Sequence, residues 1–445
     1  MRRAMRRIMR RGGLAPGELP WGLDVDRPGE RIEPMPDRLK DASLLAELAA
    51  AHGTPLYVYD LAVVRRNLAH FEAFDSVRYA VKANSNLAVL RTLRDGGARC
   101  EVVSAGEIER ALAAGFEPGE MVYTADLMDR HARSLVAEHR LHVNAGSASM
   151  LEEVAALLGP ADVTLRINPG FGEGHDEKVT TGGPQSKHGI WHGELPEVAA
   201  CARDLGLRVT GLHVHIGSGV EGRFIERTVE AMDHVLGHFE GTVHRVSCGG
   251  GMSFPYRPTD RPFDMDTFAA TWRAACDRWS ARLGRPIHLE AEPGRLLVAD
   301  AGVLLTEVCG TKTNGDGGAS FVLVDAGFHS MIRPLLYGAF HRITALEERG
   351  RPLAPRMVAG PLCESADVFT QGKGGAPAPQ DLPDVERGEL LVIHDVGAYG
   401  AAMASCYNSR PLPAEALIDE DGAARLARPA MDPNHLIERE KELLG

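Results

Sequence analysis

Between about residues 77 and 295 the sequence alternates short β-rich runs with amphipathic helical runs, eight times over. No other feature restricts the possible fold as much. Extended runs are expected at 77–84, 99–104, 121–125, 141–146, 163–169, 209–219, 244–251 and 288–295. Helical periodicity fills the gaps, as at 105–116, where Ile108, Ala111 and Leu112 fall on one face, and at 150–158. Eight strand–helix units in succession predict a (β/α)8 TIM-like barrel of the α/β class. The competing doubly wound sheet would carry a GxGxxG turn after an early strand, and none is present.

Beyond residue 296 the texture changes. Strands are expected at 303–308, 321–325, 356–359 and 389–394, separated by turns such as Asn314-Gly315-Asp316-Gly317-Gly318. Residues 371–383 read as a loop rich in Gly and Pro, and helical periodicity returns only at 436–444. A second, C-terminal all-β domain, barrel or sandwich, follows from this. The 445 residues divide into a barrel at 50–298 and a β domain at 299–430 that also takes in 21–49. Residues 1–20 read as a disordered basic extension: Arg2, Arg3, Arg6, Arg7, Arg10 and Arg11 alternate with Met1, Met5, Ile8 and Met9, without the apolar region of a secretory signal.

Composition excludes several function classes. No run of about 18 apolar residues is available to span a membrane. A net charge of -12 argues against a general nucleic-acid binder. Seven scattered cysteines (Cys100, Cys201, Cys248, Cys276, Cys309, Cys363 and Cys406) include no CxxC pair, which points to reduced thiols in a cytoplasmic protein and to no structural zinc.

Chemically loaded residues cluster at the C-terminal ends of the expected barrel strands, the face on which barrels build active sites. They are Lys82, Ser104, Asn144, Asn168, His215, Gly249, Gly250, Gly251 and Glu292. Lysine is scarce, with seven among 49 basic residues, yet one stands in Tyr79-Ala80-Val81-Lys82-Ala83-Asn84. Arginine could not form a Schiff base there, and desolvation would lower the amine's pKa toward nucleophilicity. In Gly211-Leu212-His213-Val214-His215 the two histidines share a face. They could begin a zinc site, or His215 could stack on a flat ring with Ser218 and nearby amides holding an anion. Core packing is favoured for His213. The Gly249-Gly250-Gly251 run bares backbone N–H groups in an anion nest. Glu290 and Glu292 share a face, so one of them could reach a pyridine nitrogen, and Arg295 offers a planar fork for phosphate or carboxylate.

Lysine, stacking histidine, phosphate nest and ring-facing glutamate together describe a pyridoxal 5'-phosphate (PLP) site. Over about residues 50–415 the chain resembles the fold-type III PLP-dependent decarboxylases, with an alanine racemase-like arrangement, and among them the diaminopimelate decarboxylases. The resemblance rests also on Arg166-Ile167-Asn168-Pro169-Gly170, Ser186-Lys187-His188-Gly189, Arg333-Pro334-Leu335-Leu336-Tyr337-Gly338, Gly360-Pro361-Leu362-Cys363-Glu364 and Gly397-Ala398-Tyr399-Gly400. It implies that Lys82 carries the cofactor, His215 stacks on its ring and Glu292 pairs with the ring nitrogen. Ser218, Gly249, Gly250 and Gly251 would hold the phosphate with Tyr399 near, and Arg295 would contribute to cofactor and substrate binding. Arg333, Tyr337 and Tyr399 would bind substrate. Cys363, a proton donor, and Glu364, a partner for the substrate amine, would reach in from a second subunit, so the resemblance implies a homodimer whose β domain completes shared active sites. Many relatives carry phenylalanine where His188 stands.

The implied reaction is decarboxylation of meso-2,6-diaminopimelate to L-lysine and carbon dioxide. Rivals are a decarboxylase of D-lysine, D-ornithine or another basic amino acid, and a catalytically silent regulatory paralogue, which would be expected to have lost Lys82 or Cys363. An amino-acid racemase fits the 360–367 motif poorly.

Overall fold

The computed structural model describes residues 36–173, 180–219, 222–239 and 241–444. The basic extension at 1–20 lies outside them.

Eight parallel strands close on themselves: Ser76–Ala80, Arg99–Val102, Met121–Tyr123, His142–Ala145, Asp162–Asn168, Arg208–Val214, Arg245–Ser247 and His288–Ala291. Each pairs with its neighbours in parallel, and His288–Ala291 returns to Ser76–Ala80 to complete the ring. All eight expected strands are present, most of them shorter than their sequence patterns. Apolar strand residues, among them Tyr79, Val102, Val143, Leu165, Leu212 and Val246, are buried in one core cluster. Residues adjacent to them, such as Glu101, Asn144, Thr164, His213 and Ser247, are buried polar groups on the alternate face. A charged pair lies among these polar groups: Arg78 Nε and Nη2 each lie 3.0 Å from a Glu290 oxygen, both residues buried. The bidentate geometry satisfies both charges.

Small polar residues convert strands into helices. Ser104 Oγ accepts from Glu107 N at the start of Ala105–Ala114, and Ser147 Oγ accepts from Met150 N at the start of Ala148–Leu158. Asn168 accepts from Gly170 N and Gly183 N and donates to Gly183 O, fixing the following loop. Ser104, Asn144 and Asn168 therefore do not line the cavity described below. Ser104 and Asn168 shape the rim around it.

A second sheet has the order Gln380–Pro383, Leu353–Ala359, Ser320–Val324, Gly302–Thr313, Leu56–Asp60, Ala414–Ile418, Ala424–Arg428, with Leu390–Ile393 and Ile343–Ala345 attached beside Gly302–Thr313. All four strands expected beyond residue 296 lie in it. Leu56–Asp60, which the sequence grouped with the barrel, pairs instead with Gly302–Thr313 and Ala414–Ile418. The helix Ala42–His52 packs Leu45, Leu48 and Ala49 against the same sheet. Among the described residues no helix is long and apolar enough to cross a membrane.

Candidate active site

A cavity of about 480 Å³ opens at the C-terminal ends of the barrel strands, with residues of the second sheet's loops on its far wall. Lys82, His215, Ser218, Gly250, Gly251, Glu292, Arg295, Arg333, Tyr337 and Tyr399 all line it.

Lys82 stands on a single 3-10 turn, Val81–Ala83, because its strand ends at Ala80 and does not run on to residue 84. The turn is pinned from the second domain: Asn84 Nδ2 donates to Gly397 O (2.9 Å), and Tyr399 N donates to Ala83 O (2.7 Å). Tyr399 adopts φ 58°, a left-handed conformation costly for a residue with a Cβ, and its ring joins the cavity wall. Lys82 Nζ lies 2.9 and 3.0 Å from the two Glu101 oxygens. Its side chain is 42% exposed, but to the cavity and not to the outer surface. Burial pulls its pKa down, as the sequence predicted, yet the Glu101 carboxylate outweighs burial and holds the amine above its ordinary value. Sequence reasoning missed Glu101. Its signal is a lone acid between Cys100 and Val102 in the strand Arg99–Val102.

Glu292 follows the strand His288–Ala291 and is buried. Ser247 Oγ donates to its Oε1 (2.8 Å), and His213 Nε2 lies 2.9 Å from its Oε2. Burial alone would raise the carboxyl's pKa, but His213 and Ser247 outweigh it and hold Glu292 well below the usual carboxylate range. His213 is buried as expected, and it does more than pack. No third metal-ligating group joins it and His215 among the described residues. His215 faces the cavity, desolvation holds its pKa well below the ordinary histidine value, and its Nδ1 has no partner among the described residues.

The glycines are sterically required. A Cβ on Gly249 (φ 67°) would lie 2.3 Å from Val214 O, and one on Gly250 would lie 2.5 Å from Glu292 O. Gly249 itself stands just behind the cavity wall. At the opposite wall Arg333 is 2% exposed, and its Nη1 meets His341 Nε2 at 2.8 Å. Arg295 Nη1 donates to Tyr256 Oη (2.9 Å). At the mouth, His188 Nδ1 pairs with Asp126, which His188 holds ionised against the upward pull of burial. Cys363 and Glu364 are exposed and outside the cavity lining, and Glu364 Oε1 accepts from Tyr407 Oη at 2.6 Å.

The profile of the pyridoxal-dependent decarboxylase family, pyridoxal-binding domain, matches residues 61–299. Diaminopimelate decarboxylase of Escherichia coli is 46% identical over 396 residues, covering 87% of this chain and 94% of the relative. That of Streptomyces coelicolor is 48% identical over 387 residues, covering 85% and 88%. The chain belongs to the diaminopimelate decarboxylases. A solved crystal structure of a diaminopimelate decarboxylase superposes with a TM-score of 0.86 at 44% identity, covering 90% of this chain and 96% of that one. The Helicobacter pylori diaminopimelate decarboxylase complexed with L-lysine gives 0.80 at 29% identity, covering 89% and 99%. A Selenomonas ruminantium lysine decarboxylase at 22% identity and a TM-score of 0.72 shares the fold.

The donor set fits the cofactor of this family of decarboxylases. Gly250, Gly251 and Ser218 line the cavity together with His215, whose buried Nδ1 has no partner among the described residues, a set that suits a flat ring carrying a phosphate. The buried, ionised Glu292 is matched to a basic ring nitrogen, and Lys82, which lines the same cavity, is matched to an aldehyde.

Proposed function

We propose that the chain decarboxylates meso-2,6-diaminopimelate to L-lysine and carbon dioxide with pyridoxal phosphate as cofactor. One observation supports the substrate above the others: Lys82 and the buried cation Arg333 line the same cavity. An amino acid with a second, distal carboxylate would have an amine at one end and a counter-ion for Arg333 at the other.

When bound, pyridoxal phosphate supplies a protonated pyridine ring that accepts the electron pair left by the departing carboxylate. Every other requirement falls to the protein. Lys82 would hold the cofactor's aldehyde carbon, and the proton that Nζ must lose has a Glu101 oxygen 2.9 Å away to receive it. Glu292, kept anionic by His213 and Ser247, would keep the ring nitrogen charged. His215 would cover one ring face as a neutral imidazole, and Ser218, Gly249, Gly250 and Gly251 would receive the phosphate with Arg295 and Tyr399 adjacent. Arg333 and Tyr337 would fix the distal carboxylate, so that the bond to be broken is held in one orientation.

The remaining proton, needed at the carbon that loses carbon dioxide, would come from Cys363 of the partner subunit, with Glu364 of the partner subunit meeting the substrate's amino group. Exposure of both residues on the single chain supports a homodimer with shared sites. The seven free cysteines suit a reducing compartment, the cytoplasm.

The test is carbon dioxide release by the PLP-loaded protein from meso-diaminopimelate, D-lysine, D-ornithine, L-lysine and L-ornithine. Release from meso-diaminopimelate alone, lost in Lys82→Ala, is expected. Release mainly from a D-amino acid would overturn the substrate, and silence on all five with cofactor bound would overturn the activity.

A further inference from the structure

Arg333 is a buried cation with no counter-ion among the described residues. No carboxylate pairs with it among the described residues, and its Nε has no hydrogen-bond partner. Leaving a charge unpaired in a protein interior is costly, so the partners it does have must account for its placement. There are two. The ring of Tyr256 lies 4.6 Å from its guanidinium carbon, a cation–π contact, and His341 Nε2 sits 2.8 Å from Nη1.

The second contact fixes the state of His341. An arginine N–H can only donate, so Nε2 must accept and is unprotonated. Nδ1 then carries the proton and donates to the backbone carbonyl of His394, 2.9 Å away. His341 is fully buried, packs edge-on to Tyr256 at a ring separation of 5.2 Å, and is tied through His394 to the end of the strand Leu390–Ile393. Burial and the neighbouring Arg333 charge both keep this imidazole neutral across the physiological range.

Tyr256 completes the set. Its hydroxyl accepts from Arg295 while its ring faces Arg333, so it spaces two guanidiniums that repel each other. An aspartate or glutamate at position 341 would orient Arg333 equally well, but it would also neutralise the charge. A neutral acceptor orients the fork and leaves its charge available.

We propose that His341 is a positioning residue for substrate selection: it aims Arg333 through an uncharged acceptor, so that the guanidinium keeps its full attraction for the distal carboxylate of a dicarboxylic amino acid. The inference rests on the decarboxylase reading above, and it assigns a role to a residue that does not itself line the cavity.

Two variants separate orientation from bulk. His341→Phe keeps a flat ring and deletes the acceptor, while His341→Gln keeps a neutral acceptor. In the PLP-loaded protein, His341→Phe should raise KM for meso-diaminopimelate about tenfold with kcat changed much less, the signature of lost binding and not of lost chemistry. Calorimetric titration with L-lysine, which retains one carboxylate, should show a Kd weakened by a similar factor, about tenfold. His341→Gln should recover most of both losses. If His341→Phe does not fold by circular dichroism, His341→Leu takes its place. Equal L-lysine affinity in parent and acceptor-deleted protein, or a Gln variant as weak as the Phe variant, would overturn the role of His341. Failure of the parent to release carbon dioxide from meso-diaminopimelate would instead overturn the functional reading and leave the L-lysine comparison interpretable.

Discussion

At the scale of single residues, the site is an arrangement of charges that burial alone would not permit. Glu292 is ionised because His213 and Ser247 reach it, and Lys82 is protonated because Glu101 does. Glu107 is the exception. It lies in the first turn of Ala105–Ala114, accepts from Val103 N at 2.8 Å, and burial pushes its pKa up to about 7 despite Val103 and Lys82. The charged and titratable groups around it include Lys82, Glu101, Arg110, Tyr79, Cys100 and Tyr123. An acid whose folded pKa is raised binds its proton more tightly in the native state, so stability is lost as pH rises from the model-peptide value toward about 7. Glu107→Gln keeps the acceptor for Val103 and removes the titration. Its melting temperature should match the parent's near about pH 5 and exceed it near about pH 8, by an amount equivalent to about 1–3 kcal/mol. Parallel melting curves for the two proteins at every pH would refute this. Lys82 was legible in the sequence because lysine is scarce in this chain. Glu107 was not, because its chemistry comes from what surrounds the strand end, and only the fold assembles that.

At the scale of elements, the barrel was readable and the second sheet only in part, for a physical reason. Each barrel strand is followed by a capped helix and pairs with the next unit, so local periodicity carries the architecture. Leu56–Asp60 has no such local partner. It pairs with Leu304 and Ala416, more than 240 residues away, and its side chains are buried throughout, so it shows no alternation. Gln380–Pro383 is a short strand inside a Gly- and Pro-rich stretch, and Ala424–Arg428 is an exposed edge. The rim glycines were readable because three in succession at a strand end are unusual. Asp126 and His341 were not assigned, because Asp126 meets His188 only in the fold, and the burial and the Tyr256 and His394 contacts that fix His341 beside Arg333 come from remote segments. One helix joins the two layers: Asn86 Oδ1 accepts from Ala88 N to cap Leu87–Asp95, while its Nδ2 donates to Glu415 of the second sheet at 2.9 Å. Asn86→Ala removes the cap and leaves a buried carboxylate oxygen short of a partner, though Arg428 still faces Glu415. A loss of about 2 kcal/mol is expected in urea denaturation, more than a cap alone contributes. Asn86→Asp should preserve the cap but bring two carboxylates together, and should be no better.

At the scale of the whole molecule, the cavity is built by two layers of one chain, yet two of the residues expected to act there lie on its outside. The loop bearing Cys363 and Glu364 is exposed, and Tyr407, to which Glu364 is bonded, stacks on Phe328 at 5.4 Å on the same surface. If these side chains act in catalysis, they must do so in another copy's cavity, and a two-fold arrangement lets each copy serve the other. Complementation tests this without a structure of the pair. Lys82→Ala retains Cys363 and lacks the amine, while Cys363→Ala retains the amine and lacks the thiol. Each alone should be nearly inactive. Unfolded together and refolded as an equal mixture, they should form mixed dimers in about half of the population, each with one site carrying both Lys82 and Cys363 and one carrying neither. Recovered activity should approach about a quarter of the parent's, and it should depend on refolding, because intact dimers mixed without exchange keep their defects. If Lys82 and Cys363 served the same copy's cavity, no mixture could restore a complete site, and activity would stay at the level of the single variants whatever the oligomeric state.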